Sequence, residues 1–168
     1  MFSYSEIMSK IDKFQINGRA SKACAKVNMA VPLSKKITCY GLSGKRVLLI
    51  SQYKLMRTLL VKILEHFGAV IALADSAITG IRAVRHGRET GELIEIVIVD
   101  MEDPVSILSY LKQESGRESQ QVLVLSKALS GEEIKILVKQ NMDGLLLKPF
   151  GISDFSDVLV GMLEKNNG

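Results

Sequence analysis

From residue 46 onward the apolar positions alternate between two patterns. Residues 46–50 (RVLLI) form a short continuous apolar run with the length and β-branching of a buried strand. In residues 55–67 the spacing changes to helical, with Leu55, Leu59, Leu60, Ile63, Leu64 and Phe67 on one stripe and Gly68 ending it. Residues 69–74 read as a second strand. Asp75 or Ser76 then caps a helix that carries Ile78, Ile81, Ala83 and Val84 and stops near Gly87. Residues 94–99 (IEIVIV) are a third strand, followed by a helix over 105–112 that turns Ile107, Leu108 and Leu111 inward.

The alternation then repeats twice. Residues 121–125 are a strand. Ser130 and Glu133 make the capping box of a helix that runs through Lys139. Residues 144–147 are the fifth strand, and 153–163 a last helix with Phe155, Val158, Leu159 and Met162 on its inner side. Five continuous apolar strands separated by amphipathic helices predict a parallel sheet covered on both faces. Right-handed crossovers leave few topologies, and the expected class is α/β: a doubly wound, flavodoxin-like domain.

Charge changes this picture at the N-terminus. The 168 residues carry a net +4. Residues 1–45 hold eight Lys/Arg against Glu6 and Asp12, a net +6, so the remaining 14 basic and 16 acidic groups leave −2. The sequence therefore divides into a basic extension over 1–45, a domain over 46–164 and a tail over 165–168. Within the extension, Ser3 and Glu6 suggest a cap for a short helix with Ile7, Met8, Ile11 and Phe14 in a stripe, and residues 23–33 partly alternate as strands would. A hydrophobic fraction of 47% excludes intrinsic disorder as a class. Cys24 and Cys39 lack metal-ligand spacing and are too few for a disulfide scaffold, so a reducing, cytoplasmic setting is expected. No stretch has the apolar length of a membrane span or a secretory signal.

Chemistry in a doubly wound sheet gathers beyond the carboxyl ends of its strands. The residues there are Ser51 and Gln52, Asp75, Asp100, Ser126 and Lys148. The runs VIVDMEDP around Asp100, VLVLSKA around Ser126 and MDGLLLKPF around Lys148, with YKLMRTLLVKIL as a first helix, resemble the receiver (CheY-like) domains of two-component response regulators over residues 46–164. The resemblance implies the receiver fold, with Asp100 as the phosphoacceptor for a histidine kinase. It implies also that the Ser126 hydroxyl and the Lys148 ammonium contact the phosphoryl group and that Mg²⁺ bridges carboxylate and phosphate.

Two departures bear on that chemistry. Receivers hold Mg²⁺ with two acidic residues just past the first strand, where this chain has Ser51 and Gln52. Without the metal, an incoming phosphoryl anion meets an uncompensated carboxylate; one unit-charge repulsion near 4 Å is about 4 kcal/mol at an effective dielectric of 20, roughly a thousandfold in rate. The switch aromatic, three residues before the lysine, is Leu145. Both departures predict a pseudo-receiver: a non-catalytic signalling domain without metal or cofactor, acting by contact with a histidine kinase, another receiver or a second copy through its last helix–strand–helix face.

Other readings compete. Asp100 could be the phosphoacceptor of a working, Mg²⁺-dependent receiver, or its carboxylate could form a static ion pair with Lys148. Ser126 could satisfy local backbone groups, and Glu102 and Asp103 could replace the missing metal ligands or cap the next helix. His66 and His86 have no evident catalytic partner. Residues 41–46 (GLSGKR) fail the phosphate-loop pattern and read as linker. Gly18, Ser21, Pro32 and Leu33 resemble the closing strand of a histidine-kinase ATP-binding domain, which implies a piece of a hybrid kinase. The basic extension could bind a polyanion, although nucleic acid is not expected, since its aromatics are few.

Overall fold

The structure, a computed structural model, describes residues 40–114 and 120–166. The expected short helix and strands of residues 1–33 lie outside them. Five strands, β1 (Arg46–Ser51), β2 (Val70–Ala74), β3 (Ile96–Asp100), β4 (Gln121–Ser126) and β5 (Gly144–Leu147), form one sheet in the order β2-β1-β3-β4-β5. Every pairing is parallel. Between and after them run α1 (Lys54–His66), α2 (Ala77–Glu89), α3 (Pro104–Glu114), α4 (Gly131–Lys139) and α5 (Ile152–Asn166).

Apolar burial divides between the two faces of the sheet. On one side, Val47, Leu49, Ile98 and Leu125 pack against Leu60 and Leu64 of α1 and Phe155 and Leu159 of α5. On the other, Leu48, Ile50, Val97 and Val99 pack against Val84, Ile107, Leu108 and Leu137 of α2, α3 and α4. β1, β3 and β4 are buried at nearly every position because they are covered on both faces, as continuous apolar runs require.

The structure corrects the sequence reading in several places. Leu55 is 85% exposed and Leu59 half exposed, so the buried stripe of α1 is narrower than its apolar pattern. Ile78 likewise faces solvent at the start of α2. β2 leaves Val70 and Leu73 exposed because it is an edge strand. The third strand begins at Ile96; Ile94 and Glu95 precede it.

α2 runs two residues past Gly87. This glycine is an interior close contact, since a Cβ there would lie 2.5 Å from the Glu92 carbonyl oxygen. Residues 41–46 are also more than a linker. A 3₁₀ turn at Tyr40–Leu42 inserts Leu42, fully buried, into the α1/α5 core, and Lys45 pairs with Glu95 at 2.8 Å. At the far end α5 continues to Asn166, into the expected tail.

Capping follows the sequence. Ser130 and Glu133 form the expected capping box of α4. At α2 the alternatives resolve to Ser76, which forms a capping box with Thr79, while Asp75 accepts from the Thr79 hydroxyl at 3.1 Å. Asp103 serves α3, accepting from the Ser106 N–H at 3.2 Å and its hydroxyl at 2.5 Å. Those two bonds hold the Asp103 carboxyl below its ordinary range.

Candidate functional site

Parallel register brings the strand ends together. Ser51 on β1 lies directly beside Asp100 on β3, and both are fully buried. At the other side of β3, Ser126 ends β4 opposite Leu147, and the Lys148 N–H donates to the Ser126 carbonyl at 2.7 Å. That bond sets the start of the β5–α5 loop so that the Lys148 ammonium reaches back across β4 to Asp100. Four of the expected site residues, Ser51, Asp100, Ser126 and Lys148, therefore occupy one edge of the sheet. Gln52 points to solvent.

The Asp100 carboxylate is engaged on both oxygens. Lys148 Nζ forms an ion pair and hydrogen bond with Oδ1. The Ser51 hydroxyl donates to Oδ2 at 2.8 Å. A hydroxyl has one proton, so the longer approach of Ser51 Oγ to the Tyr53 carbonyl, 3.4 Å, is secondary, while the Tyr53 N–H donates to Ser51 Oγ at 3.3 Å. A carboxylate removed from water in this way needs both charge balance and hydrogen bonds, and Lys148 and Ser51 supply one of each.

Two residues that the sequence did not mark for the site, Tyr53 and Arg57, complete it together with Glu102. The Tyr53 ring lies under the Lys148 ammonium, 4.9 Å from Nζ to the ring centroid, a cation–π distance. The Tyr53 hydroxyl donates to Glu102 Oε1 at 3.2 Å, so Glu102 acts here as an acceptor. Arg57, one turn into α1, donates to the Ser51 carbonyl at 2.7 Å and fixes the strand end from the far side. The signal for Tyr53 in the sequence was position alone, two residues past Ser51, just as Glu102 lies two past Asp100.

These residues do not fit a Mg²⁺ ion. Such an ion takes hard oxygen donors, usually carboxylates, at near-octahedral positions. Among the described residues Asp100 is the single buried acid on a strand of the sheet, each of its oxygens already accepts a hydrogen bond, and its neighbour Ser51 is uncharged. Among the described residues no group of three or more His, Cys, Asp or Glu could hold a metal ion. Asp103 is committed to the α3 terminus and Glu102 to Tyr53.

Leu145, at the expected switch position, is 3% exposed and packs in the core between the sheet and α2, α3 and α4. His66 lies exposed at the end of α1. His86 lines a surface cleft of about 250 Å³ with Arg46, Glu92 and Ile94 at the amino end of the sheet, away from Asp100.

A response regulator receiver domain from Methanospirillum hungatei JF-1 superposes with a TM-score of 0.64 at 18% identity, over 74% of this chain and 98% of that one. The fold is that of a receiver domain. An orphan response regulator of H. pylori (TM-score 0.58, 23% identity, 71% and 96% covered) shares it. So does a chain of the CheX–CheY–BeF₃–Mg²⁺ complex from Borrelia burgdorferi (0.62, 15%, 71% and 89%). No protein-family model and no curated protein matches the sequence. Among the described residues no helix is long and apolar enough to cross a membrane.

Proposed function

We propose that this chain is a pseudo-receiver: a signalling module that acts through protein–protein contact, without Mg²⁺-dependent phosphorylation of Asp100. One observation carries the reading. Lys148 and Ser51 occupy both oxygens of Asp100, and Ser51 stands in place of a metal-binding acid. A nucleophilic carboxylate needs a free oxygen in line with the incoming phosphorus and a cation to neutralise the transferred group. In this site the Lys148 ammonium already neutralises the nucleophile.

Leu145 supports the same reading from the output side. A buried leucine packed among α2, α3 and α4 has no aromatic ring to move between inward and outward positions. Signalling on this reading depends on surfaces rather than on a chemical cycle, and the partner class is a histidine kinase or another receiver. The B. burgdorferi neighbour, which was solved in a CheX–CheY complex, supports contact as a mode of action for the fold. The α4–β5–α5 face is the surface proposed for such a partner or for a second copy, and the setting proposed is cytoplasmic.

The test is phosphorylation itself. The full chain is incubated with Mg²⁺ and a small phosphodonor such as acetyl phosphate, and its intact mass is measured. No adduct is expected. A stable phospho-adduct that disappears in Asp100→Asn would establish the phosphorylatable alternative instead.

A further inference from the structure

We propose that Tyr53 is a positioning residue that keeps Asp100 closed, by holding Lys148 on the carboxylate and by tying the loop after β1 to the loop after β3. The inference rests on the reading of the site as a closed pocket and deepens it.

The backbone provides for this role. Tyr53 is the residue before α1, in extended conformation (φ −93°, ψ 104°), and its side chain makes no capping bond to the helix. It is therefore free to lie across the strand ends. Its N–H donates to the same Ser51 hydroxyl that donates to Asp100. Its ring faces the Lys148 ammonium and its hydroxyl reaches Glu102, two residues beyond Asp100. One residue thus touches three of the loops around the pocket: the loop after β1, to which it belongs, the loop after β3 through Glu102 and the loop after β5 through Lys148.

The electrostatics favour the closed arrangement. Lys148 retains 19% of its side-chain exposure, so it could turn outward and leave Asp100 with Ser51 alone. The negative face of the Tyr53 ring attracts the ammonium and shields it from water, which raises the cost of leaving. Glu102 holds the phenol at its outer end. Access to Asp100 then requires Tyr53 to swing away, which breaks the contact to Glu102 and the contact to Lys148 together.

The test reads carboxylate access in the full chain without metal or phosphodonor. A water-soluble carbodiimide with an amine nucleophile labels accessible carboxyl groups, and peptide mass spectrometry reads the rate at each site. Two aspartates on α5 serve as internal references, since Asp154 is buried by its own cap and Asp157 is exposed. In Tyr53→Ala, Asp100 labelling is expected to rise about fivefold to thirtyfold, the opening that follows from losing a cation–π contact with a largely buried ammonium. Asp154 and Asp157 should keep their wild-type rates. Tyr53→Phe keeps the ring and loses the Glu102 bond, and a smaller rise is expected.

Unchanged Asp100 labelling in Tyr53→Ala with Asp154 still protected would overturn the proposal. If Tyr53→Ala exposes Asp154 and so has lost the fold, Tyr53→Phe decides: a rise at Asp100 alone supports the gate, and no rise overturns it. A phospho-adduct on wild-type protein would end the pseudo-receiver reading and leave this result standing, so the two failures are distinguishable.

Discussion

Asp100 and Lys148 differ in how much water each can recover, and that decides which single substitution hurts more. The carboxylate side chain is 1% exposed and the ammonium 19%. Lys148→Met strands a buried carboxylate with one hydroxyl donor, and about 3–5 kcal/mol of stability should be lost in urea denaturation. Asp100→Asn leaves a lysine that can turn to solvent, so its cost should be clearly smaller. The double variant should recover much of the Lys148→Met loss. Ser51→Ala removes one donor from the same carboxylate and should cost about 1–3 kcal/mol. The converse change, Ser51→Asp with Gln52→Asp, adds one acid beside Asp100 and a second at the adjoining exposed position; its thermal midpoint should fall without Mg²⁺ and rise on adding it, while the wild-type midpoint stays insensitive. The placement of Asp100, Ser126 and Lys148 at strand ends was legible because strand-end position is a sequence property. Tyr53 and Arg57 were not, since their contacts depend on how the loops fold over the strand ends.

At the scale of the elements, glycines and caps carry the clearest consequences. Gly87 read as the end of a helix, yet α2 continues to Glu89 and the missing Cβ makes room for the Glu92 carbonyl at 2.5 Å. A backbone atom cannot rotate aside as a side chain does, so Gly87→Ala should destabilise by about 1–3 kcal/mol, measured by denaturation. The α3 start depends on an ionised Asp103. Hydrogen bonds from Ser106 lower its folded-state pKa, so its contribution is complete above the unfolded value of about 3.9 and disappears as pH falls through the lower folded value. Amide exchange at Ser106 should accelerate over that acidic range, and Asp103→Asn should remove the pH dependence. Leu55, Leu59 and Ile78 show the limit of periodicity: a stripe gives a direction, and how far a neighbouring layer extends decides which members of it are covered.

For the molecule as a whole, the charge division is the property that its fold does not explain. The domain from residue 46 carries −2 and the extension +6. If the extension binds polyanions, full-chain affinity for heparin should fall with rising salt along a log–log slope no steeper than about −7, the limit set by its eight cationic side chains. A flat response would exclude that role and leave the extension as a solvated counterpart to the domain.

Strand and helix order, parallel topology and the identity of the strand-end residues were all determined by the sequence, because each rests on local periodicity and on chain direction. A right-handed parallel sheet has to bring the carboxyl ends of its strands to one edge. Only the tertiary structure decided what those ends do to one another. Ser51 and Asp100, 49 residues apart, are partners through the register of neighbouring strands, and Lys148, 48 residues from Asp100, reaches it across β4 from the loop after β5. Whether the pocket at Asp100 stays open or closes on a lysine depends on loop paths that no spacing along the chain encodes. In this molecule it closes on Lys148, with Ser51 beneath and Tyr53 against it.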